Sequence, residues 1–200
     1  EEWLRSYKPE ELFDDNGRFK EEYRKFIPNT NKCMGNNPVC NGGSLLKDLT
    51  LPDFRNYEFK FKKRGAEKAS DMMELGNFIR DIIALNKDNF LVLSPDEALS
   101  NRLNHIFEAT NRKWNAKVLP NDEFLSNDGR VIDSILSEHI CEGLLEGYLL
   151  TGRHGVISSY EAFIKVVDSM CHQHAKWLKM SKEVPWRSPI SSLNYLSTSH

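Results

Sequence analysis

Three glutamates at four-residue spacing are the most suggestive chemical feature of this 200-residue sequence. Glu138, Glu142 and Glu146 lie on one face of a predicted helix, and such a face is usually a solvated acidic stripe. Glu138 differs because it opens the helix directly after a predicted strand. A carboxylate there faces the carboxyl edge of a sheet, and the helix dipole favours its charge. The residues alone therefore indicate a site at the edge of a parallel sheet.

Ser100 and Arg102 follow the preceding predicted strand and form a second candidate group. A planar guanidinium beside a hydroxyl donor matches phosphate oxygens, so this pair could bind a phosphate group. In the alternative interpretation, Ser94 or Asp96 caps a helix and Arg102 is a surface cation. The glycine-bracketed turn at 151–155 could form an anion-binding nest, although such a turn more often ends a helix. Residue types alone leave these alternatives open.

Two segments that contain cysteine or histidine fail the spacing of a metal site. Cys33 and Cys40 could clip a loop or hold half a zinc site, but no second pair follows at zinc-site spacing. On a helix, His172 and His174 cannot face one ligand together, so we expect one imidazole in the core and the other exposed. We predict no metal ligands in this sequence, and we expect its four cysteines to be free thiols.

Charge and hydropathy exclude two classes of partner. The sequence has 27 basic and 29 acidic side chains, a formal net charge of -2, which gives no electrostatic case for nucleic acid or an anionic membrane surface. No apolar run approaches the roughly 18 residues of a membrane-spanning helix, and the first residues do not resemble a signal peptide. We therefore predict a cytoplasmic protein without nucleic-acid or membrane partners. Because no initiator Met is present, we also expect a fragment of something larger.

Apolar periodicity predicts the elements that must position these residues. We expect helices or helical turns at 70–86, 98–110, 138–150 and 160–180, and strands at 90–93, 131–136 and 191–196. This order predicts an α/β fold with a partial parallel sheet flanked by helices. The first 68 residues are rich in turn signals, and we predict a long, irregular connector packed on neighbouring domains.

Two of the predicted helices carry apolar residues at core-facing spacing. In helix 138–150 the predicted inward residues are Ile140, Leu144, Leu145 and Leu149. In helix 160–180 they are Phe163, Val166, Val167, Met170, His174 and Trp177. The second set would place Phe163 in the core.

Several long strings resemble the phosphoketolase family. They are LSPDEALSNRL, RKWNA, LSEHICEGLLEGYLLTGRHGVISSYEAFIKVVDSMCHQHAKWLK and PWRSPISSLNYLSTSH, with EEWLRSYKPEELFDDNGR and NPVCNGGSLLKDLTLPDFRNY upstream. The resemblance covers essentially the whole sequence. It implies a thiamine-diphosphate-binding-type fold, with an interdomain connector at 1–68. Residues 69–200 would be the N-terminal, incomplete part of the pyrimidine-binding α/β domain.

The resemblance also implies a reaction and its cofactors. Enzymes of this family use thiamine diphosphate to cleave xylulose 5-phosphate or fructose 6-phosphate with inorganic phosphate, which yields acetyl phosphate and an aldose phosphate. A second subunit of a homodimer completes the active site. The accompanying Mg²⁺ or Ca²⁺ should be bound outside this sequence, since the Gly-Asp-Gly motif is absent. The nearest string, 127–129, lacks the first glycine.

By resemblance, two residues are catalytic. Glu138 matches the glutamate that hydrogen-bonds the aminopyrimidine ring nitrogen of the cofactor, and Tyr160 matches a tyrosine near the reacting centre. Phe163 matches a residue that encloses the aminopyrimidine, with a core aromatic as the alternative. One departure from the family is Cys171-His172, where a Phe-Asn pair is usual; it affects no assigned role.

The resemblance assigns the loop after the first strand to ligand binding. Ser100 and Arg102 match sugar-phosphate contacts, and Asp96 lies in the same loop on the cofactor side. These matches favour the phosphate interpretation. An alternative is that the chain is a noncatalytic structural or interaction fragment, inactive alone. A transketolase-type enzyme is disfavoured by the strings GYLLTGRHG and QHAKWLK.

Overall fold

The computed structural model describes residues 1–33, 36–37, 46–133 and 135–199. The chain divides into two compact units, Glu1–Asn37 and Pro38–His200. The first unit contains helix α1 (Glu2–Arg5) and, among its described residues, short 3-10 helices at Pro9–Glu11, Glu21–Phe26 and Thr30–Lys32. The described part of this unit consists of short helical segments joined by irregular backbone, which matches the turn signals in its sequence. Cys40 lies outside the described residues, so the expectation that it is a free thiol, unpaired with Cys33, stays a prediction.

The second unit contains a six-stranded sheet in which every described strand pair is parallel. Its elements are α2 (Asp71–Leu85), β1 (Phe90–Leu93), β2 (Arg112–Lys113), β3 (Leu125–Ser126), β4 (Val131–Ile132), α3 (Glu138–Leu150), β5 (His154–Tyr160), α4 (Ile164–Ser181) and β6 (Tyr195–Thr198), with 3-10 helices at Phe54–Tyr57, Asn104–Glu108 and Glu161–Phe163. The strand order is β3-β2-β4-β1-β5-β6. The predicted α/β class is confirmed.

Strand β1 lies between β4 and β5 inside the sheet. Val92 pairs with Val131 of β4 on one side and with Val156 of β5 on the other. All four residues of β1 are buried. A strand covered on both faces carries a continuous apolar run, which explains why the sequence Phe-Leu-Val-Leu identified it.

Apolar side chains cover both faces of the sheet. One core cluster joins α2 to β1 and β4, and includes Ile79, Ile83, Val92, Ile106 and Val131. The other joins α3 to β1 and β5, and includes Leu91, Leu93, Leu145, Leu149 and Ile157. The sheet is therefore held between helices, as in other layered α/β proteins.

Strand β5 was not predicted. Its sequence, HGVISSY, places buried Ser158 and Ser159 beside Ile157, so the apolar pattern of a central strand is interrupted. The preceding turn ends α3, with Thr151 as the C-cap and Gly152 at φ +89°, so the helix-end interpretation of 151–155 is confirmed. Helix α4 begins at Ile164 rather than at residue 160.

Other boundaries also shift. The predicted helix or helical turn at 98–110 is a series of turns followed by the 3-10 helix Asn104–Glu108. Strand β4 is limited to Val131–Ile132, and β6 lies two to four residues later than predicted. Among the described residues, no helix is long and apolar enough to cross a membrane.

The predicted inward face of α3 is partly wrong. Ile140 and Leu144 are 47% and 45% exposed, whereas Leu145, Leu149 and Cys141 are fully buried. Helix α3 packs against both β5 and α4, so its buried arc is rotated away from Ile140 and Leu144.

That rotation buries one of the three spaced glutamates. Glu142 has no exposed surface, which contradicts its assignment to a solvated stripe. Glu146 is also partly covered, with 25% of its side chain exposed.

Helix α4 buries fewer residues than its pattern suggests. Val167 and His174 are buried, while Val166 is exposed and Phe163 precedes the helix with 41% exposure. His172 is exposed, so the prediction of one core and one exposed histidine is confirmed. Phe163 is not the core aromatic of the alternative interpretation.

Candidate active site at the carboxyl edge of the sheet

The chain topology brings most of the predicted site residues to one edge of the sheet. Asp96, Ser100 and Arg102 follow the end of β1, Glu138 opens α3 after β4, and Tyr160 ends β5. Since all these strands are parallel, their carboxyl ends meet at the same edge. Ligands of open α/β sheets bind at this edge.

Glu138 occupies the first helical position of α3. Ser137 caps the helix, with its Oγ accepting a hydrogen bond from the Ile140 backbone N–H at 3.3 Å. The Glu138 side chain is half-buried. The cap and the short strand β4 thus hold this carboxylate at the strand ends, where the helix dipole favours its charge.

Glu97 is a second carboxylate of the site, and sequence reasoning missed it. Its Oε2 accepts a hydrogen bond from the Tyr160 backbone N–H at 3.2 Å. Burial raises the pKa of Glu97, the Tyr160 N–H and the Ser159 hydroxyl oppose that rise, and the charge of Glu138 adds to it. Glu97 and Glu138 are therefore close enough to interact electrostatically. No spacing or motif distinguished Glu97 from its neighbour Asp96.

Ser100 and Arg102 line a single cavity of about 120 Å³ at this edge, together with Ser70 and Thr198. The Arg102 Nη1 donates a hydrogen bond to the Ser70 Oγ at 3.3 Å. Ser70 occupies the N-cap position of α2, but its side chain makes no capping hydrogen bond and accepts one from Arg102 instead. The cavity combines one exposed guanidinium and several hydroxyl groups with one carboxylate, that of Asp71. The guanidinium and the hydroxyl groups are donors of the kind that a phosphate group requires.

The loop after β1 has a strained backbone. Asp96 and Arg102 adopt φ values of +63° and +61°, in the left-handed region that residues with a Cβ rarely occupy. Such conformations persist only where surrounding contacts hold them, and they concentrate at functional sites. Asp96 itself is exposed and is not among the residues that line the cavity.

Asp133, at the end of β4, fixes the beginning of this loop, and it too was missed from the sequence. Its Oδ1 accepts from the Ala98 backbone N–H at 3.1 Å, and its Oδ2 accepts from Arg112 at 3.1 Å. The Asp133 side chain is 1% exposed. Burial raises its pKa, and the Ala98 N–H and the Arg112 charge oppose that rise. The start of the loop is therefore held by the Asp133 carboxylate, and not by the side chain of Ser94 or Asp96.

An aromatic pair lies beside the carboxylates. The ring centroids of Tyr160 and Phe163 are 6.1 Å apart, with 50° between the ring planes. Phe163 is 41% exposed, so its ring is accessible to a planar ligand. The accessible Phe163 ring and the half-buried Glu138 carboxylate belong to the same edge of the sheet, and both are compatible with the aminopyrimidine ring of thiamine diphosphate, the cofactor that the resemblance implies.

The diphosphate half of that cofactor does not fit the described residues. Within the described part of the chain, no group of three or more His, Cys, Asp or Glu side chains could hold a metal ion. Among the described residues that line the cavity, Arg102 is the single cation.

A buried polar cluster lies between α3 and α4, behind the site. The Cys171 Sγ donates to the Glu142 Oε1 at 3.0 Å, so the departure from the family pattern at Cys171 places a thiol against a buried carboxylate. Burial raises the pKa of Glu142, and burial together with the bond to Glu142 raises that of Cys171 to about 12. The His174 Nδ1 lies 3.7 Å from the Glu146 Oε1, and burial lowers the pKa of His174. Sequence periodicity predicted that His174 is buried, but it gave no signal for the burial of Glu142 or for its bond with Cys171.

Comparison with known proteins gives the family. A family model described as D-xylulose 5-phosphate/D-fructose 6-phosphate phosphoketolase matches residues 73–200, and one described as the XFP N-terminal domain matches residues 1–45. Over its whole length the chain is 59% identical to a probable phosphoketolase of Nitrosospira multiformis, 57% to one of Nitrosomonas europaea and 55% to one of Clostridium acetobutylicum.

Fold and geometry define an α/β protein with a candidate ligand site at the carboxyl ends of parallel strands. More specifically, the chain belongs to the D-xylulose 5-phosphate/D-fructose 6-phosphate phosphoketolase family. It spans about a quarter of the length of the curated relatives it matches. The predicted boundary near residue 68 falls between the two matched segments and stays a prediction.

Proposed function

We propose that this chain is the segment of a phosphoketolase that supplies the aminopyrimidine half of the active site. The whole enzyme would cleave xylulose 5-phosphate or fructose 6-phosphate with inorganic phosphate to acetyl phosphate and an aldose phosphate. The observation that carries this proposal is the convergence of Glu138, Tyr160 and the Ser100–Arg102 cavity on one edge of the sheet. These are a carboxylate, an aromatic pair and a phosphate-type donor set in one place.

Each residue has a distinct part in this proposal. Glu138 hydrogen-bonds the aminopyrimidine ring nitrogen, since its carboxyl group sits half-buried at the carboxyl edge of the sheet. Phe163 packs its accessible face against the ring, and Tyr160 lies near the reacting atoms. Ser100 and Arg102 bind the sugar phosphate. When bound, thiamine diphosphate supplies the electron sink for carbon–carbon cleavage.

The proposal includes a homodimer that completes the site. Ile140 and Leu144 are nearly half exposed on the face of α3 that points away from the core, and Leu136 beside them is 82% exposed. These apolar side chains, adjacent to Glu138, suit contact with a second subunit. That subunit would supply the diphosphate and Mg²⁺ or Ca²⁺ contacts. We propose that the protein is located in the cytoplasm, because a reducing compartment keeps thiols such as those of Cys141 and Cys171 free.

The test is Glu138→Gln in a full-length protein that carries this segment. Glutamine keeps the size of the side chain but cannot release a proton, so acetyl phosphate formation should fall by roughly 100-fold or more. Glu183→Gln, an exposed glutamate after α4, is the matched control and should retain full activity. Turnover of sugar phosphates is followed by acetyl phosphate release. Near-normal turnover by the Glu138 variant, with the control also active, would remove Glu138 from the reaction.

A further inference from the structure

Glu97 has contacts with several parts of the site at once. Its backbone carbonyl accepts from the Asn101 N–H at 2.8 Å and from the Ser100 Oγ at 3.1 Å. Its carboxylate accepts from the Tyr160 N–H at 3.2 Å. The backbone of Glu97 thus orients a hydroxyl of the phosphate cavity, and its side chain reaches the strand end that carries the tyrosine.

The contact with Tyr160 joins two elements that adjacent strand pairing does not hold at this point. The register of β1 with β5 ends at Leu93 and Ile157, so residues 158–160 extend beyond the last pair with β1. On the other side, Tyr160 pairs with Thr198 of β6. The Glu97 carboxylate therefore replaces the missing strand partner and holds the end of β5 against the loop after β1.

We propose that Glu97 is a positioning residue, which acts through the Tyr160 backbone to hold Tyr160 and the neighbouring Phe163 in register with Glu138. This inference rests on the proposed function. The role belongs to the acceptor oxygen, because the bond is to a backbone N–H. The Ser100 hydroxyl should not depend on it, since Ser100 is oriented by the Glu97 carbonyl and not by its side chain. The carboxylate also has a hydrogen bond from Asn101, which lines the cavity, but it does not contact the Arg102 guanidinium that binds the phosphate in the proposed function.

The surroundings of the side chain favour this assignment. Glu97 is half-buried, and it is turned toward buried Ser159 and toward Tyr160 rather than toward solvent. Its pKa is raised, chiefly by burial and further by the charge of Glu138. Burying a carboxylate near another carboxylate is unfavourable, and a specific hydrogen bond to the Tyr160 N–H offsets part of that cost.

Two substitutions separate the acceptor from the charge, and both are made in the full-length protein. Glu97→Ala removes the acceptor, so kcat for acetyl phosphate formation should fall about tenfold or more while KM for the sugar phosphate changes by less than about twofold. Glu97→Gln keeps an acceptor oxygen and should retain kcat within about threefold. Glu123→Ala, at an exposed loop glutamate, is the control.

A second readout does not need activity. In the cofactor-free protein, hydrogen exchange at the Tyr160 amide should be roughly tenfold faster in Glu97→Ala than in wild type, and close to wild type in Glu97→Gln. If Glu97→Ala fails to fold, the Glu97→Gln variant provides the test. Retained kcat together with slow hydrogen exchange at the Tyr160 amide would support the proposal. A loss of kcat, or fast exchange at that amide, would overturn it.

The two proposals fail in different ways. A wild-type protein that forms no acetyl phosphate would refute the proposed function, while the exchange experiment would still test the Glu97 contact. An active wild type in which Glu97→Ala keeps full kcat would overturn the positioning role alone. Equal losses of kcat in the alanine and glutamine variants would overturn it as well, because they would indicate a role for the charge.

Discussion

Among the described residues, Arg102 is the single cation lining the cavity at the carboxyl edge, and its backbone is held at φ +61°. A flexible surface cation would not need such a conformation. The strain, the hydrogen bond to Ser70 and the shared cavity with Ser100 together favour phosphate recognition over the surface-cation alternative. Arginine binds phosphate with two parallel N–H donors, which lysine cannot reproduce.

Replacing Arg102 with alanine should therefore weaken binding of the sugar phosphate. Alanine keeps the Cβ, so the backbone strain is unchanged and the loss reports the guanidinium alone. We expect KM to rise by about 10- to 100-fold, corresponding to about 1.5–3 kcal/mol for a hydrogen bond to a charged group, with a smaller effect on kcat. The exposed Arg64→Ala is the control. An unchanged KM in full-length enzyme would return Arg102 to the surface-cation interpretation.

At this scale the sequence revealed residue types but not their neighbours. Glu138, Ser100 and Arg102 could be selected because each follows a recognisable strand. Glu97 and Asp133 could not, because their roles depend on backbone N–H groups of Tyr160 and Ala98, and no side-chain pattern records a hydrogen bond to a backbone. The residue assignments themselves remain predictions.

Among the elements, α3 and β5 carry the two proposed catalytic residues, and Gly155 is where they meet. A Cβ at Gly155 would lie 2.6 Å from the Leu145 Cδ1 and 2.8 Å from the Leu91 backbone oxygen. The oxygen belongs to β1, which pairs with β5 through Leu91 and Gly155, so it cannot move aside without breaking the sheet register. Glycine is therefore required for α3 to pack this closely on the sheet.

We predict that Gly155→Ala lowers the free energy of unfolding by about 1–3 kcal/mol, through overpacking between α3 and β1. Gly147→Ala is the matched control: a Cβ there meets nothing within 4 Å, and alanine in a helix should raise stability by up to about 1 kcal/mol. Urea unfolding of both variants measures the difference. Equal stabilities would mean that α3 does not pack on β5 as closely as described.

The elements also explain which parts of the fold could be predicted. Helix α2 was recognised because its apolar residues recur on a single buried face, and strand β1 because its four residues form one buried apolar run. The predicted inward face of α3 was partly wrong, because α3 contacts α4 as well as the sheet, and periodicity assumes a single buried direction. Burial of Glu142 follows from the same second neighbour. Its bond with Cys171 depends on how two helices pack, which the sequence of either helix does not encode.

For the whole molecule, the fold class and the family were accessible from sequence, and the completeness of the site was not. A parallel sheet follows from alternating helix and strand signals. The residues that we propose for the aminopyrimidine lie on one edge, whereas within the described residues no cluster of three ligating side chains could hold a metal ion. The chain spans about a quarter of its curated relatives, so the remaining contacts would come from outside it.

This division of the site predicts how the cofactor binds. Affinity for thiamine diphosphate in this fold should come largely from the diphosphate and its metal ion, and each lost charged hydrogen bond weakens binding by about 1.5–3 kcal/mol. The 200-residue chain, titrated with thiamine diphosphate and Mg²⁺, should therefore bind roughly 100-fold more weakly than a full-length protein that carries it. Calorimetry measures both affinities, and circular dichroism first establishes that the chain is folded. Tight, metal-dependent binding by the folded chain alone would show that it holds a whole site, and would contradict the proposal that it supplies one half.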